Sequence, residues 1–230
     1  IYNLISPLVF VTLLPYYLLR MARRGGYRKG FLERLGRYSP DARTRLAETP
    51  RVWVHAVSVG EMYVALRFIA GWREAQPDAA FVVTTNTSTA HRLAERAMNP
   101  ADVLLYFPVD FPPVIRRVLN RVRPVRVIMT EGELWPNLLR AVRRRGIPLA
   151  VINGRVSDRS FPRYRRLRAI FGPVLRLFDT ICAQGRQDAD RYLAIGADPS
   201  RVVVTGSAKY DVALQSPGDP ATGRAMLDSA

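Results

Sequence analysis

Carboxylates are scarce in this chain, so each one that stands in an unusual string is a candidate for chemistry. Among 230 residues, 19 Asp and Glu face 35 Lys and Arg, a formal charge of +16. Glu131 and Glu133 lie in Thr130-Glu131-Gly132-Glu133-Leu134-Trp135-Pro136-Asn137, inside the most basic region, where sixteen arginines between Phe111 and Arg176 meet three carboxylates. Such carboxylates either hold substrate hydroxyls or anchor the surrounding arginines by ion pairs, and the residue types leave both open. In Ser58-Val59-Gly60-Glu61 a small residue and a glycine expose backbone N–H groups that can hold an anion at a helix N-terminus. The same spacing is a capping box, with Ser58 as N-cap and Glu61 three residues on. Ser58 reads first as a cap; for Glu61 capping and catalysis both stand.

Three further strings carry polar groups. The hydroxyl-rich turn Thr84-Thr85-Asn86-Thr87-Ser88-Thr89 can cap a helix and bond sugar or phosphate oxygens, with Thr85 and Thr87 as its candidates. Asn153-Gly154-Arg155-Val156-Ser157-Asp158-Arg159-Ser160 offers guanidinium and hydroxyl groups, notably Arg155 and Ser157, to anionic oxygens. Gly206-Ser207-Ala208-Lys209-Tyr210-Asp211 carries Lys209, one of two lysines in the chain and a group able to reach a phosphate or carboxylate brought by a second domain. Tyr106-Phe107-Pro108-Val109-Asp110 reads as no more than a turn, and His55, alternating with Trp53, as a hydrogen-bonded packing residue. With one cysteine, Cys182, and two distant histidines, His55 and His91, neither an internal disulfide nor a zinc site is expected, and no cofactor.

These strings need a scaffold, and the apolar pattern supplies one. Hydrophobic residues make up 48% and charged residues 23%, ordinary globular usage that excludes global disorder. From Arg51 onward short apolar runs alternate with longer amphipathic ones, the pattern of an α/β fold with a parallel sheet flanked by helices. It predicts strands near residues 52–57, 81–85, 103–106, 125–130, 149–153, 180–183 and 202–205. Helices are predicted near 60–75, 89–98, 113–122, 134–145, 161–178 and 187–195. Ligands of such sheets bind at the C-terminal strand ends, where all the strings above fall.

Residues 1–19 carry no charge, and Arg20, Arg23, Arg24, Arg28 and Lys29 follow at once. This predicts an apolar N-terminal membrane-associated helix with the following domain on the cytoplasmic side, spanning the bilayer or lying on it. The other reading is a helix packed on the domain itself. The chain begins with Ile and ends in an unfinished helical-looking run, and so reads as a fragment. The organisation expected is an anchor and basic flank at 1–30, a Rossmann-like domain at 31–211, and from 212 to 230 a linker into a further domain. The basic excess suits polyanions: nucleic acid, anionic lipid or phosphorylated small molecules.

Taken in order, Glu33-Arg34-Leu35-Gly36, Trp53-x-His55-Ala56-x-Ser58-Val59-Gly60-Glu61, Glu131-x-Glu133-Leu134-Trp135-Pro136-Asn137, Asn153-x-Arg155-x-Ser157 and Gly206-Ser207-x-Lys209-Tyr210-Asp211 closely resemble the 3-deoxy-D-manno-octulosonic acid (Kdo) transferases of lipopolysaccharide synthesis. The resemblance runs to about Asp211 and departs at Ala90, Thr130 and Gly132. It implies the N-terminal, acceptor-binding half of a two-domain GT-B glycosyltransferase, inactive without its C-terminal domain. The partners implied are the donor CMP-Kdo, the lipid A precursor as acceptor and the anionic inner-membrane surface; the location implied is the cytoplasmic face of the cell inner membrane. No nucleic acid and no metal are expected. By the same resemblance Glu33 is the general base of an inverting transfer. Acceptor contacts fall to Ser58, Gly60, Glu61, Thr85, Thr87, Glu131 and Glu133, and donor-side or phosphate contacts to Arg155, Ser157 and Lys209. Read from its neighbours alone, Glu33 is a helix-surface ion pair with Arg34 or Arg37. Competing functions are another GT-B transferase acting on a lipid-linked acceptor, a nucleic-acid-binding domain suggested by the arginines, and a catalytically inactive membrane scaffold.

Overall fold

The computed structural model describes residues 27–207. Two short helices, α1 (Tyr27–Arg34) and α2 (Pro40–Glu48), precede an alternating series: β1 (Val52–His55), α3 (Val59–Ala75), β2 (Phe81–Thr85), α4 (Ser88–Ala97), β3 (Val103–Tyr106), α5 (Pro112–Val122), β4 (Arg126–Thr130) and α6 (Pro136–Arg144). It continues with β5 (Leu149–Gly154), α7 (Phe161–Arg166), α8 (Arg168–Leu175), β6 (Thr180–Ala183), α9 (Arg186–Ile195) and β7 (Val202–Val204). The strands form one parallel sheet in the order β3-β2-β1-β4-β5-β6-β7.

The strands are buried because helices cover both faces, which is why they read as nearly continuous apolar runs. All four residues of β1 and all five of β2 are buried. On one face α3 and α4 pack Met62, Ala65, Ile69, Ala90 and Ala94 against Val52, Val54, Phe81, Val83 and Ile128. On the other, α5, α6, α8 and α9 pack Ile115, Leu119, Leu138, Leu139, Val174, Leu175 and Ile195 against Trp53, Val82, Val127, Met129 and Val151. Helix α5 shows how the pattern dictates the packing: Val114, Ile115, Val118, Leu119 and Val122 recur at helical spacing, and all five are buried.

At the N-terminal end of the sheet, buried Asp102 accepts from Arg73 at 2.6 Å and from the Phe81 amide at 3.0 Å, which ties the start of β2 to the start of β3. The opposite end carries the loops of interest. The switch in strand order falls between β1 and β4, whose helices leave to opposite faces.

Two features differ from the expected pattern. The single helix predicted over 161–178 is divided into α7 and α8 at Leu167, whose ψ of 27° leaves the helical region. The segment serves two surfaces: Phe161 lies beneath Arg191 of α9, while Gly172 passes so close to α9 that a β-carbon there would stand 3.0 Å from the Ile195 carbonyl. Helices α1 and α2 were not among the predicted elements, because α2 buries only Leu46 and so gives no periodic signal. Its start, Ser39-Pro40, is nonetheless a cap signature: the Ser39 hydroxyl accepts from the Ala42 amide at 3.2 Å. Helix α1 crosses residue 30, the boundary drawn between anchor and domain. The expected membrane-associated stretch 1–19 and the residues 212–230 lie outside the described residues. Among the described residues no helix is long and apolar enough to cross a membrane.

Candidate functional site

The sheet lines up the candidate loops along its C-terminal edge in strand order. At the β3 end, Glu33 reaches from α1, and its Oε2 accepts from the Tyr106 amide at 2.9 Å. Burial pushes its carboxyl above the ordinary value; the Tyr106 amide and then the Arg34 charge pull partly back. A half-buried carboxylate held by one N–H and poised above its usual pKa is a competent proton acceptor.

The rest of α1 is seated on the same tyrosine. A β-carbon at Gly30 would approach the Tyr106 ring to 2.5 Å, so only glycine lets the helix come this near. The Arg34 guanidinium lies 4.7 Å from the centre of that ring and donates to the Asn86 carbonyl at 2.7 Å. His91 of α4 stacks on it at 4.5 Å. Beside the Arg34 charge that the neighbouring residues led one to expect, Glu33 is thus held by a backbone contact made 73 residues along the chain.

At the β2 and β1 ends the polar residues hold one another. The hydroxyls of Thr85 and Thr87 both donate to the Val57 carbonyl, at 3.3 and 3.2 Å. Thr87 also caps α4, accepting from the Ala90 amide. Ser58 caps α3 and closes the capping box with Glu61: the Ser58 hydroxyl accepts from the Glu61 amide at 3.2 Å, and Glu61 accepts from the Ser58 amide at 3.3 Å and the Val57 amide at 3.0 Å. Capping does not exhaust Glu61, because the Thr130 hydroxyl of β4 lies 2.8 Å from its Oε2. Gly60 is left open: a β-carbon there would meet nothing nearer than the Ser58 hydroxyl at 3.9 Å. His55 is a packing residue, with Nδ1 3.0 Å from the Thr84 carbonyl and its ring stacked on Phe107 at 3.8 Å. Burial holds it neutral, its pKa lowered to about 3.

After β4 the backbone turns sharply. Glu131 has φ 55° and Gly132 φ 97°, while Asn153 at the end of β5 has φ 53°. A glutamate in the left-handed region is uncommon, and such residues gather where the surroundings over-determine them. Here Glu131 donates its amide to the Ile152 carbonyl at 3.0 Å, its carboxylate lies 3.4 Å from the Asn153 side-chain amide, and its carbonyl accepts from the Arg155 amide at 3.4 Å. From α9, Tyr192 lies directly under Gly132, so that a β-carbon there would collide with its hydroxyl. The turn brings Glu131 and Glu133 toward Glu61. The Glu133 carboxyl is raised by burial first, then by the charges of Glu61 and Glu131.

Asp110 is more than a turn residue. Its two carboxylate oxygens accept from the amides of Asn137 and Leu138, at 3.0 and 2.8 Å, and so cap α6 from another loop. Helix α6 begins Trp135-Pro136 without a side-chain cap of its own, and that gap was the readable signal. The Arg155 side chain is exposed beside the Glu131 turn, whereas Ser157 turns to Ser160, hydroxyl to hydroxyl at 2.9 Å. Lys209 lies outside the described residues. The structure thus gathers Glu61, Glu131, Glu133 and Arg155, ties Thr85 and Thr87 to the Val57 carbonyl next to Ser58, and sets Glu33 at the far end of the same edge. Asn86, Tyr106, Asn153 and Tyr192 complete the site; Tyr192 had no signal, being a helix-face residue 60 positions from the glycine it supports. Among the described residues no group of three His, Cys, Asp or Glu is placed to hold a metal ion. A ligand rich in hydroxyls and carrying anionic groups suits this edge.

Comparison with known proteins bears on what that ligand is. Residues 29–212 match the sequence profile described as 3-deoxy-D-manno-octulosonic-acid transferase (kdotransferase). A 3-deoxy-D-manno-octulosonic acid transferase of Chlamydia pneumoniae is 31% identical over 220 residues, covering 94% of this chain and 49% of the relative. One from Bordetella pertussis is 35% identical, covering 91% of this chain and 48% of the relative. The chain therefore spans about half the length of these relatives. In structure it is similar to the UDP-GlcNAc 2-epimerase of Neisseria meningitidis bound to UDP-GlcNAc, with a TM-score of 0.51 at 13% identity over 78% of this chain and 53% of that one. At that identity the likeness speaks for the Rossmann-like fold alone.

Proposed function

This chain belongs to the Kdo transferase family, and from that membership we propose that it is the acceptor-binding half of an inverting enzyme that transfers Kdo from CMP-Kdo to the lipid A precursor at the cytoplasmic face of the inner membrane. The observation that carries the reading is the Glu33 carboxylate, half-buried, raised in pKa and held by the Tyr106 amide at the C-terminal edge of the sheet.

In the proposed reaction an acceptor hydroxyl attacks the anomeric carbon of Kdo from the face opposite the CMP phosphate. The new bond joins acceptor oxygen to anomeric carbon, the bond to the phosphate oxygen breaks, and CMP departs with the electron pair. Glu33 takes the hydroxyl proton, which is what a carboxylate above its ordinary pKa does well. The open first turn of α3 at Gly60, with Ser58, Thr85 and Thr87 around it, receives acceptor oxygens, as do Glu61, Glu131 and Glu133. Arg155 faces anionic groups on the donor side, with Ser157 and Lys209. The second domain of the family supplies the rest of the CMP site, so transfer requires the chain extended to its full length.

Mass spectrometry of lipid A precursor incubated with CMP-Kdo and the full-length enzyme tests the reading: a gain of one or more Kdo units is expected. Glu33→Gln should reduce the rate by roughly 10²- to 10⁴-fold, the usual worth of a positioned base. Near-normal turnover in that variant would reject Glu33 as the base, and absence of any gain with folded enzyme would reject the donor or acceptor.

A further inference from the structure

Tyr192 of α9 carries a hydroxyl that bonds to nothing among the described residues. The residue is 3% exposed, and its phenol oxygen is buried without a hydrogen-bond partner. A buried donor left unmade is costly, so a tyrosine where phenylalanine would fill the same ring space calls for a physical reason. Proton transfer is not that reason. Burial first, then the nearby charges of Asp188 and Glu131, push the phenol above its ordinary value and keep it neutral at any working pH.

What the oxygen touches is more telling. Side chains lean toward the N-terminus of their helix, so Tyr192 reaches from α9 back to the C-terminal strand ends. There it meets two turns of the same build: Glu131-Gly132 after β4 and Asn153-Gly154 at the end of β5 each place a left-handed residue before a glycine. Both glycines face Tyr192. A β-carbon at Gly132 would collide with the hydroxyl oxygen, and one at Gly154 would stand 3.2 Å from it.

The two turns differ in what else holds them. The segment from Asn153 to Val156 has its own ties: the Gln184 side chain donates to the Asn153 carbonyl at 3.0 Å, the Gln184 amide to the Gly154 carbonyl at 2.9 Å, and the Val156 amide to Asp188 at 2.8 Å. Beneath Gly132 stands the Tyr192 oxygen; the next residue, Arg155, comes no nearer to that β-carbon position than 3.9 Å. We propose that the Tyr192 hydroxyl is a spacer, its oxygen propping the Glu131–Glu133 turn at the height where both carboxylates meet the acceptor. Tyr192 is then a positioning residue for acceptor binding, an inference that rests on the acceptor role proposed above for Glu131 and Glu133.

A ring without the oxygen leaves a gap one atom deep under Gly132. The turn can sink into it, and Glu131 follows, because a non-glycine residue in the left-handed region is held there by its surroundings rather than by its own preference. The Arg155 loop, tied to Gln184 and Asp188, keeps its place. The loss should therefore fall on the acceptor and spare CMP-Kdo. A tyrosine that merely filled the core would change stability and affect neither substrate.

Tyr192→Phe in the full-length enzyme tests this, beside enzyme carrying 4-fluorophenylalanine at position 192, whose fluorine is close to a hydroxyl in size and donates no hydrogen bond. In the ligand-free proteins, hydrogen exchange read by mass spectrometry should be about ten-fold faster in Tyr192→Phe for peptides covering residues 131–134, and unchanged for those covering 153–156. Tyr192→Phe should melt no lower than the wild type, raise the KM for lipid A precursor roughly ten-fold, and leave kcat and the KM for CMP-Kdo within about two-fold. The fluorinated enzyme should bring exchange and acceptor KM back to within about two-fold of the wild type. Unchanged exchange over 131–134 overturns the proposal, as does an unchanged acceptor KM, an equal rise for both substrates, or a fluorine that restores neither. Wild-type enzyme that transfers no Kdo would instead reject the reaction proposed above, and exchange in the ligand-free proteins would still decide whether the oxygen props the turn.

Discussion

At the scale of single residues, the proposed base is a carboxylate in a costly place. Burial raises Glu33, so its ionised form at neutral pH is less well solvated than it would be in the unfolded chain. A carboxyl with a raised folded pKa stabilises the protein while it is protonated, and that contribution fades as pH climbs through the folded pKa. Glu33→Gln, which keeps an oxygen for the Tyr106 amide, should therefore melt no lower than the wild type at pH 7 while losing transfer; thermal melts beside the rate assay show both. Arg34 works in the opposite sense by drawing the Glu33 pKa down. In Arg34→Gln the acidic limb of the pH–rate profile, already above the ordinary carboxyl value of 4.5, should move to higher pH still. A limb that stays in place would mean that another group sets it.

At the scale of elements, the loops along the C-terminal edge are held by contacts between elements rather than within them. Asp110 caps α6 from the loop after β3, and its loss leaves two amides at a helix start without their charged acceptor. Asp110→Ala should cost about 1–3 kcal/mol in denaturant unfolding, and it should loosen the Glu131–Glu133 turn that leads into α6. Gly60 is the converse case. Nothing in the packing requires a glycine in the first turn of α3, since a β-carbon would enter open space. Gly60→Ala should then stabilise the fold by roughly 0.4–1 kcal/mol through the unfolded chain. If the acceptor sits against that turn, the same substitution raises the KM for acceptor; an unchanged KM places the acceptor elsewhere.

At the scale of the whole molecule, one sheet between two helical layers makes stability a property of the centre, and His55 stands there. On β1 it is fully buried, hydrogen-bonded to the Thr84 carbonyl and neutral, with its pKa lowered to about 3. Above pH 6.5 it is uncharged in folded and unfolded chains alike and costs nothing. Below 6.5 the unfolded chain takes up a proton that the folded one refuses, so stability should fall by roughly 1.4 kcal/mol per pH unit until about pH 3. Chemical denaturation between pH 7 and 4 checks this, and a His55→Gln variant that remains folded should lose that part of the slope. The sequence by itself determined the alternation of strands and helices from Arg51 onward, the capping box at Ser58 and Glu61, and the strings that mark the family, because each is written in neighbouring residues with a fixed period or spacing. It could not show that Glu33 is held by Tyr106, that Asp110 caps α6, that Tyr192 lies under Gly132, or that the helix predicted over 161–178 bends at Leu167. Those were decided by the tertiary structure, because each joins residues tens of positions apart whose meeting depends on strand order and on which face every crossover helix covers, neither of which a local pattern contains.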